Sequence, residues 1–148
     1  MKFPALIIAL IFAATPVLAA KPDSILGIWK TEETKSKVEL FKCGEKYCGK
    51  IIWLKEPLYT DSKKGPVGTR KTDRENSDKT KQAVPILGLE IMKNFVADGE
   101  NEWSGGTIYD PECGSTYKCK MTLTDPGHLD VRGYIGIPLF GRTTAWTR

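Results

Sequence analysis

The chain of 148 residues holds a single histidine, His128. That scarcity removes most histidine-based catalysis and most histidine-ligated metal sites. There is no Gly-x-Ser-x-Gly elbow to present a nucleophile at a strand–helix turn. A phosphate-cradling glycine loop is missing too, since Lys63-Lys64-Gly65 is only a fragment of one. After residue 20 no apolar run approaches the roughly 20 residues that a membrane helix needs. Charge is close to balanced: 22 Lys and Arg against 18 Asp and Glu give +4. A chain so balanced is not a polybasic nucleic-acid binder. Sustained helical periodicity is absent as well.

What is present begins with an address. Sixteen of the first twenty residues are apolar, and they run from Lys2 to Pro16-Val17-Leu18-Ala19-Ala20. One early positive charge, a short apolar core and small residues at the end make a signal peptide, cleaved after Ala19 or Ala20. No cysteine sits at that point to take a lipid anchor. The expected product is a periplasmic or secreted protein of a bacterium, one domain over residues 21–148. It is about one-third apolar, enough for a single core.

Cysteine usage agrees with export. Four cysteines, Cys43, Cys48, Cys113 and Cys119, suggest two disulfides in an oxidising compartment. Pairing Cys43 with Cys48 and Cys113 with Cys119 places each bond around a turn signal. The alternative is a zinc site of four thiolates, but its C-x4-C and C-x5-C spacings are looser than the usual C-x2-C.

Short runs of Val, Ile, Leu, Tyr and Trp alternate with polar residues between Gly, Pro, Asn and Asp breaks, the mark of strands. Eight are predicted, near 27–33, 37–43, 48–54, 87–95, 102–109, 115–124, 128–136 and 140–148. Alternation sorts their faces. Leu87, Leu89 and Ile91 share one side, as do Tyr117, Cys119, Met121 and Leu123, and as do Leu129, Val131, Gly133 and Ile135. Turns such as Asp98-Gly99-Glu100-Asn101 and Asp125-Pro126-Gly127 connect consecutive strands. The fold class is therefore all-β, an eight-stranded antiparallel up-and-down barrel with one long loop.

That loop spans residues 55–86. Between 55 and 82 it carries eight bases and five acids, an excess of +3 that equals the net charge of everything after residue 20. A loop of this length is either a lid or a solvated connection. Asp73 or Ser77 could cap a short helix within it.

The marks Gly27-Ile28-Trp29, Cys48-Gly49-Lys50-Ile51-Ile52-Trp53-Leu54, Asp73 with Asn76 and Asp78, and Leu87-Gly88-Leu89 come in a recognisable order. So do Trp103 with Gly106, Ile108-Tyr109-Asp110-Pro111, Gly114 with Tyr117, Arg132-Gly133-Tyr134 and Trp146-Thr147-Arg148. Together they resemble an exported bacterial family, the domain of unknown function 2147, over nearly all of the mature chain. The resemblance implies a lipocalin-like (calycin) barrel, a class that often binds small apolar molecules. It assigns no function. In this arrangement Trp29 plugs one barrel end and Arg148, or alternatively Arg142, stacks over its ring. The family's Asp-Pro turn usually continues with Asp or Asn, whereas here Glu112-Cys113 precede Gly114, which suggests a second disulfide peculiar to a subset.

Catalysis finds little support. His128 sits in a turn. Asp73, Glu75 and Asp78 could serve acid–base work, or bind calcium with Asn76. Yet 73–78 lacks the Gly and terminal Glu of an EF-hand, and fixing the loop by hydrogen bonds is the simpler role for Asp73 and Asn76. The loop has too few aromatics for single-stranded nucleic acid, although a weak attraction to an acidic partner or an anionic surface is open to it. The interior remains. Leu40, Trp53, Leu89, Ile91, Trp103, Tyr117, Met121, Val131 and Phe140, with Ile51, Leu87 and Leu123, could line a pocket for a small apolar or amphipathic ligand. Gly49, Gly88, Gly105, Gly106 and Gly133 would leave gaps in its walls. Equally, these side chains could fill the barrel, which would make the protein an envelope interaction module. No cofactor, metal, nucleic acid or membrane span is implied.

Overall fold

The computed structural model describes residues 21–148, so the expected leader at 1–20 lies outside the described residues. Eight antiparallel strands follow one another around a closed barrel. They are β1 (Gly27–Lys30), β2 (Ser36–Cys43), β3 (Lys46–Leu54), β4 (Glu90–Ala97), β5 (Glu102–Asp110), β6 (Ser115–Asp125), β7 (His128–Tyr134) and β8 (Gly141–Thr147). Each pairs with the next in sequence, and β1 meets β8 at Lys30 and Thr147. Cys43 and Cys48 are joined across the β2–β3 turn, with a Cα separation of 5.9 Å, so neither is free to ligate a metal.

Local backbone chemistry moves several strand ends. β1 stops at Lys30 because Glu32–Thr34 forms a 3-10 turn with Glu33 and Thr34 at positive φ. β4 starts at Glu90, not Leu87, because Leu87-Gly88 turns first, with Gly88 at φ 92°. Within β4, Asn94 also has positive φ, and Ile91, Met92 and Phe95 are all buried instead of alternating. A register shift between β2 and β3 pairs Lys37 with Trp53 but Val38 with Ile51. One extra β3 residue there turns Trp53 outward. β7 ends at Tyr134 and β8 begins at Gly141, which leaves 135–140 as a loop.

The barrel is filled. Trp29, Val38, Leu40, Met92, Phe95, Trp103, Cys119, Met121, Leu129 and Val131 form one buried cluster with Ile25 and Trp146. Gly49, Gly106 and Gly133 do not leave holes, whereas Gly88, in the turn before β4, has open space beside it. Gly106 lies flat beneath the Phe95 ring, where any Cβ would collide, and Gly49 is covered by Leu40 and Met92. Such interdigitation matches the density of a protein core.

One end is plugged by the 3-10 turn Pro22–Ile25. Its carbonyls accept from two indoles: Trp29 Nε1 donates to Ile25 O (2.8 Å) and Trp103 Nε1 to Pro22 O (3.1 Å). Tyr47 donates its hydroxyl proton to Asp23 at 2.6 Å. Arg148 closes the same end, its guanidinium 4.3 Å from the Trp29 ring centre and bonded to the carbonyls of Ser24, Leu26 and Pro126. Arg142 instead pairs with Glu32 at the opposite end.

Candidate functional site

Antiparallel connectivity places the turn at 31–35, the long segment 55–89, the turn at 111–114 and the loop at 135–140 together at the other end. This end carries the features that core packing does not explain.

The long segment is ordered by its own hydrogen bonds and pinned to the barrel. Leu58 bridges Arg70, Thr72 bridges Pro85, and the Tyr59 hydroxyl bonds both N and O of Thr72 at 3.1 Å. The pin is Asp73, a carboxylate only 1% exposed. It accepts from the Tyr109 hydroxyl at the end of β5 (2.6 Å) and from Asn76 Nδ2 (2.7 Å). A buried carboxylate needs such donors. Burial, reinforced by the bond to Asp73, lifts the Tyr109 hydroxyl well above the ordinary tyrosine pKa. Beside this latch the carbonyl of Glu75 sits on Gly114, at φ 71° and with no room for a Cβ. The segment is a lid seated on the barrel rim.

Two of the three acids considered for chemistry, Asp73 and Asp78, are thereby used structurally. Asp73 is sealed in the latch, and Asp78 caps the 3-10 turn Lys79–Lys81 through Thr80 N and Oγ1. That capped turn begins at Lys79, later than either predicted start. Among the described residues no group of three or more His, Cys, Asp or Glu is placed to hold a metal. His128 is exposed and pairs with Asp125 at 2.7 Å, and this contact, with the Gly127 N–H, lowers the Asp125 pKa.

Of the residues expected to line a pocket, Leu40, Ile51, Ile91, Trp103, Met121, Leu123 and Val131 are buried in the core cluster. Leu89 is half-buried against it. Four others require correction. Trp53 lies on the outer wall, 39% exposed, with Lys37 Nζ 5.3 Å from its ring. Leu87 is exposed in the turn before β4. Tyr117, at the β6 rim, is half-buried with its hydroxyl 3.7 Å from Cys113 Sγ. Phe140 stands in the β7–β8 loop, 67% exposed.

The second predicted disulfide does not form: Cys113 is free and exposed, Cys119 free and buried. Cys113 lies in the turn before β6, and Cys119 points inward four residues into the strand. The two thiols therefore face different surroundings, one at the rim beside the Tyr117 hydroxyl and the other in the core. Burial pushes the Cys119 thiol up to about 12.

The loop at 135–140 replaces the strand ends that alternation predicts at Ile135 and Phe140. Its side chains Ile135, Ile137, Leu139 and Phe140 are 53–75% exposed. Arg132 donates to the carbonyls of Pro138 (2.7 Å) and Leu139 (3.4 Å) and to Thr143 Oγ1 (2.9 Å), while Ile135 N bonds Phe140 O. The guanidinium holds an apolar knuckle out of the barrel. The run Ile-Gly-Ile-Pro-Leu-Phe, too broken for a strand, was the available signal.

A sequence model of the family described as "Uncharacterized protein conserved in bacteria (DUF2147)" matches residues 27–148. A comparison with curated proteins finds no match. Among solved structures, the protein HP1028 of Helicobacter pylori, described as belonging to the lipocalin family, superposes with a TM-score of 0.70. Identity is 22%, over 84% of this chain and 82% of that one. At that identity the likeness establishes a shared lipocalin-like barrel and no more.

Proposed function

Starting from a chain that belongs to the DUF2147 family of bacterial proteins, we propose that it is an exported, non-enzymatic barrel that docks by its lid end on an anionic membrane surface of the envelope. One observation carries the reading: the interior is solid while the lid end is apolar and positive. Among the described residues, eight of the eleven exposed large apolar side chains lie in the 55–89 segment and the 135–140 loop. The same long segment bears an excess of +3. Apolar side chains that enter the acyl boundary, set beside cations that attract anionic headgroups, are the two elements of peripheral membrane binding. A protein partner would be met by the apolar loop alone and would give no reason for the charge.

The Cys43–Cys48 bond is compatible with the oxidising compartment that the leader implies. Lipocalin-like barrels suit small ligands, but an apolar guest among Leu40, Trp103, Met121 and Val131 would have to displace side chains that already fill the space. Native mass spectrometry of the protein from its host should give the bare polypeptide mass. A reproducible extra mass lost on denaturation would return the argument to the barrel interior.

Flotation with vesicles tests the docking. The protein should float with vesicles of phosphatidylglycerol and phosphatidylethanolamine, weakly or not at all with phosphatidylcholine, and less as salt rises. Combining Ile137→Ser with Leu139→Ser removes about 3 kcal/mol of apolar burial, a loss of about a hundredfold in affinity. Equal binding by that variant would overturn the proposal. So would a wild-type dimer, seen by sedimentation, that the same variant abolishes, since the loop would then be covered by a second copy.

A further inference from the structure

The outer face of the lid holds an open cleft of about 620 Å3, distinct from the apolar loop. Three of its lining residues are cations, Arg70, Arg74 and Lys79, and one is an acid, Glu75. Among the described residues none of the three cations is in an ion pair, whereas Lys71 pairs with Glu56 and Lys81 with Asp78. Unpaired cations converging on a concave surface raise the local potential for an anion.

The walls are built before any ligand arrives. Tyr59 is buried, packed on one side against Gly65, with the Arg74 guanidinium 5.8 Å from its ring centre. Its hydroxyl fixes the backbone of Thr72 on the neighbouring wall, and Tyr59 N donates to Thr69 O at 2.9 Å. Gln82 Nε2 is bonded to Asn76 O, which holds the far wall to the latch. Two guanidinium groups and one ammonium suit an oxyanion with several acceptor oxygens, since guanidinium donors pair with phosphate in forked geometry.

We infer that this cleft is a binding site for a phosphate group, carried by a small organic phosphate or by a lipid headgroup. The site does not depend on membrane docking by the 135–140 loop, and the two can fail separately.

The test is a titration followed by amide NMR shifts of residues 69–83. The probes are inorganic phosphate, glycerol 1-phosphate and, separately, vesicles with and without phosphatidic acid. Saturable shifts confined to this segment are expected with at least one probe. A response to the soluble phosphates assigns a free ligand, and a response to phosphatidic acid vesicles alone assigns a headgroup. Arg70→Gln with Arg74→Gln should weaken binding about tenfold or more. Glu75→Gln, which removes the one acid, should tighten it, so the sign of the effect survives even if the double variant folds poorly. The Ile137→Ser/Leu139→Ser variant should bind the soluble phosphates as the wild type does. Shifts reproduced by chloride at equal ionic strength, or unchanged affinity in both charge variants, would overturn the inference.

Discussion

Single residues decide the fate of the cysteines. Both unpaired thiols lie within seven positions of each other, yet one is exposed in a turn and the other points into the core. A thiol is reactive only as its thiolate, and burial keeps Cys119 protonated at any physiological pH. A thiol-disulfide dye at neutral pH should therefore label one site per folded chain and a second only after unfolding. Cys113→Ser should abolish the first. Finding no labelled thiol before reduction would mean that the two are bonded after all. The sequence could suggest the Cys43–Cys48 bond because both residues flank one tight turn. It could not separate Cys113 from Cys119 by count or spacing, since the obstacle is the inward direction of one strand residue. Trp53 makes the same point: a single extra residue in β3 reverses its face, and no periodicity rule announces where a register shift falls.

At the scale of elements the lid is the part that local sequence describes least. Asp73 and Asn76 were legible as loop-fixing residues, and they do bond each other. Their anchor Tyr109, thirty-six positions away, is a tertiary contact that propensity cannot supply. The latch gives the lid two independently testable properties. Asp73→Ala leaves the Tyr109 hydroxyl and Asn76 without their acceptor, at a cost of about 1–3 kcal/mol. Amide exchange in 55–86 should then accelerate well beyond exchange in β5 and β6. Uniform acceleration would show that the lid and barrel are one cooperative unit. The second property is an alkaline limit. With its folded pKa raised, Tyr109 stays protonated after the unfolded chain begins to lose that proton near pH 10. The folded state then binds more protons than the unfolded state, so stability falls as pH rises past about 10. Tyr47, raised by burial and by its bond to Asp23, acts in the same direction. Tyr109→Phe should shrink the slope of stability against pH without abolishing it.

For the whole molecule the order of strands was readable, because eight alternating runs joined mostly by short turns leave few topologies besides a meander. Closure was not written in any one run. The seam between β1 and β8 is the thinnest in the barrel, with Lys30 and Thr147 its one ladder pair. Side chains complete what the backbone does not. Arg148 reaches from the end of β8 to the carbonyls of Ser24 and Leu26 and covers Trp29, so it ties the plug, the first strand and the last together. A cation over a desolvated indole contributes about 1–2 kcal/mol, and each charge-assisted bond to a carbonyl adds to it. Arg148→Met keeps much of the aliphatic contact and removes the charge and the donors. It should lower stability by about 2–3 kcal/mol and Tm by several degrees in a domain of this size, measured by calorimetry. Arg142→Met breaks only an exposed ion pair with Glu32 and should shift Tm little. Equal effects from the two substitutions would show that Arg148 closes the barrel no better than an exposed ion pair does.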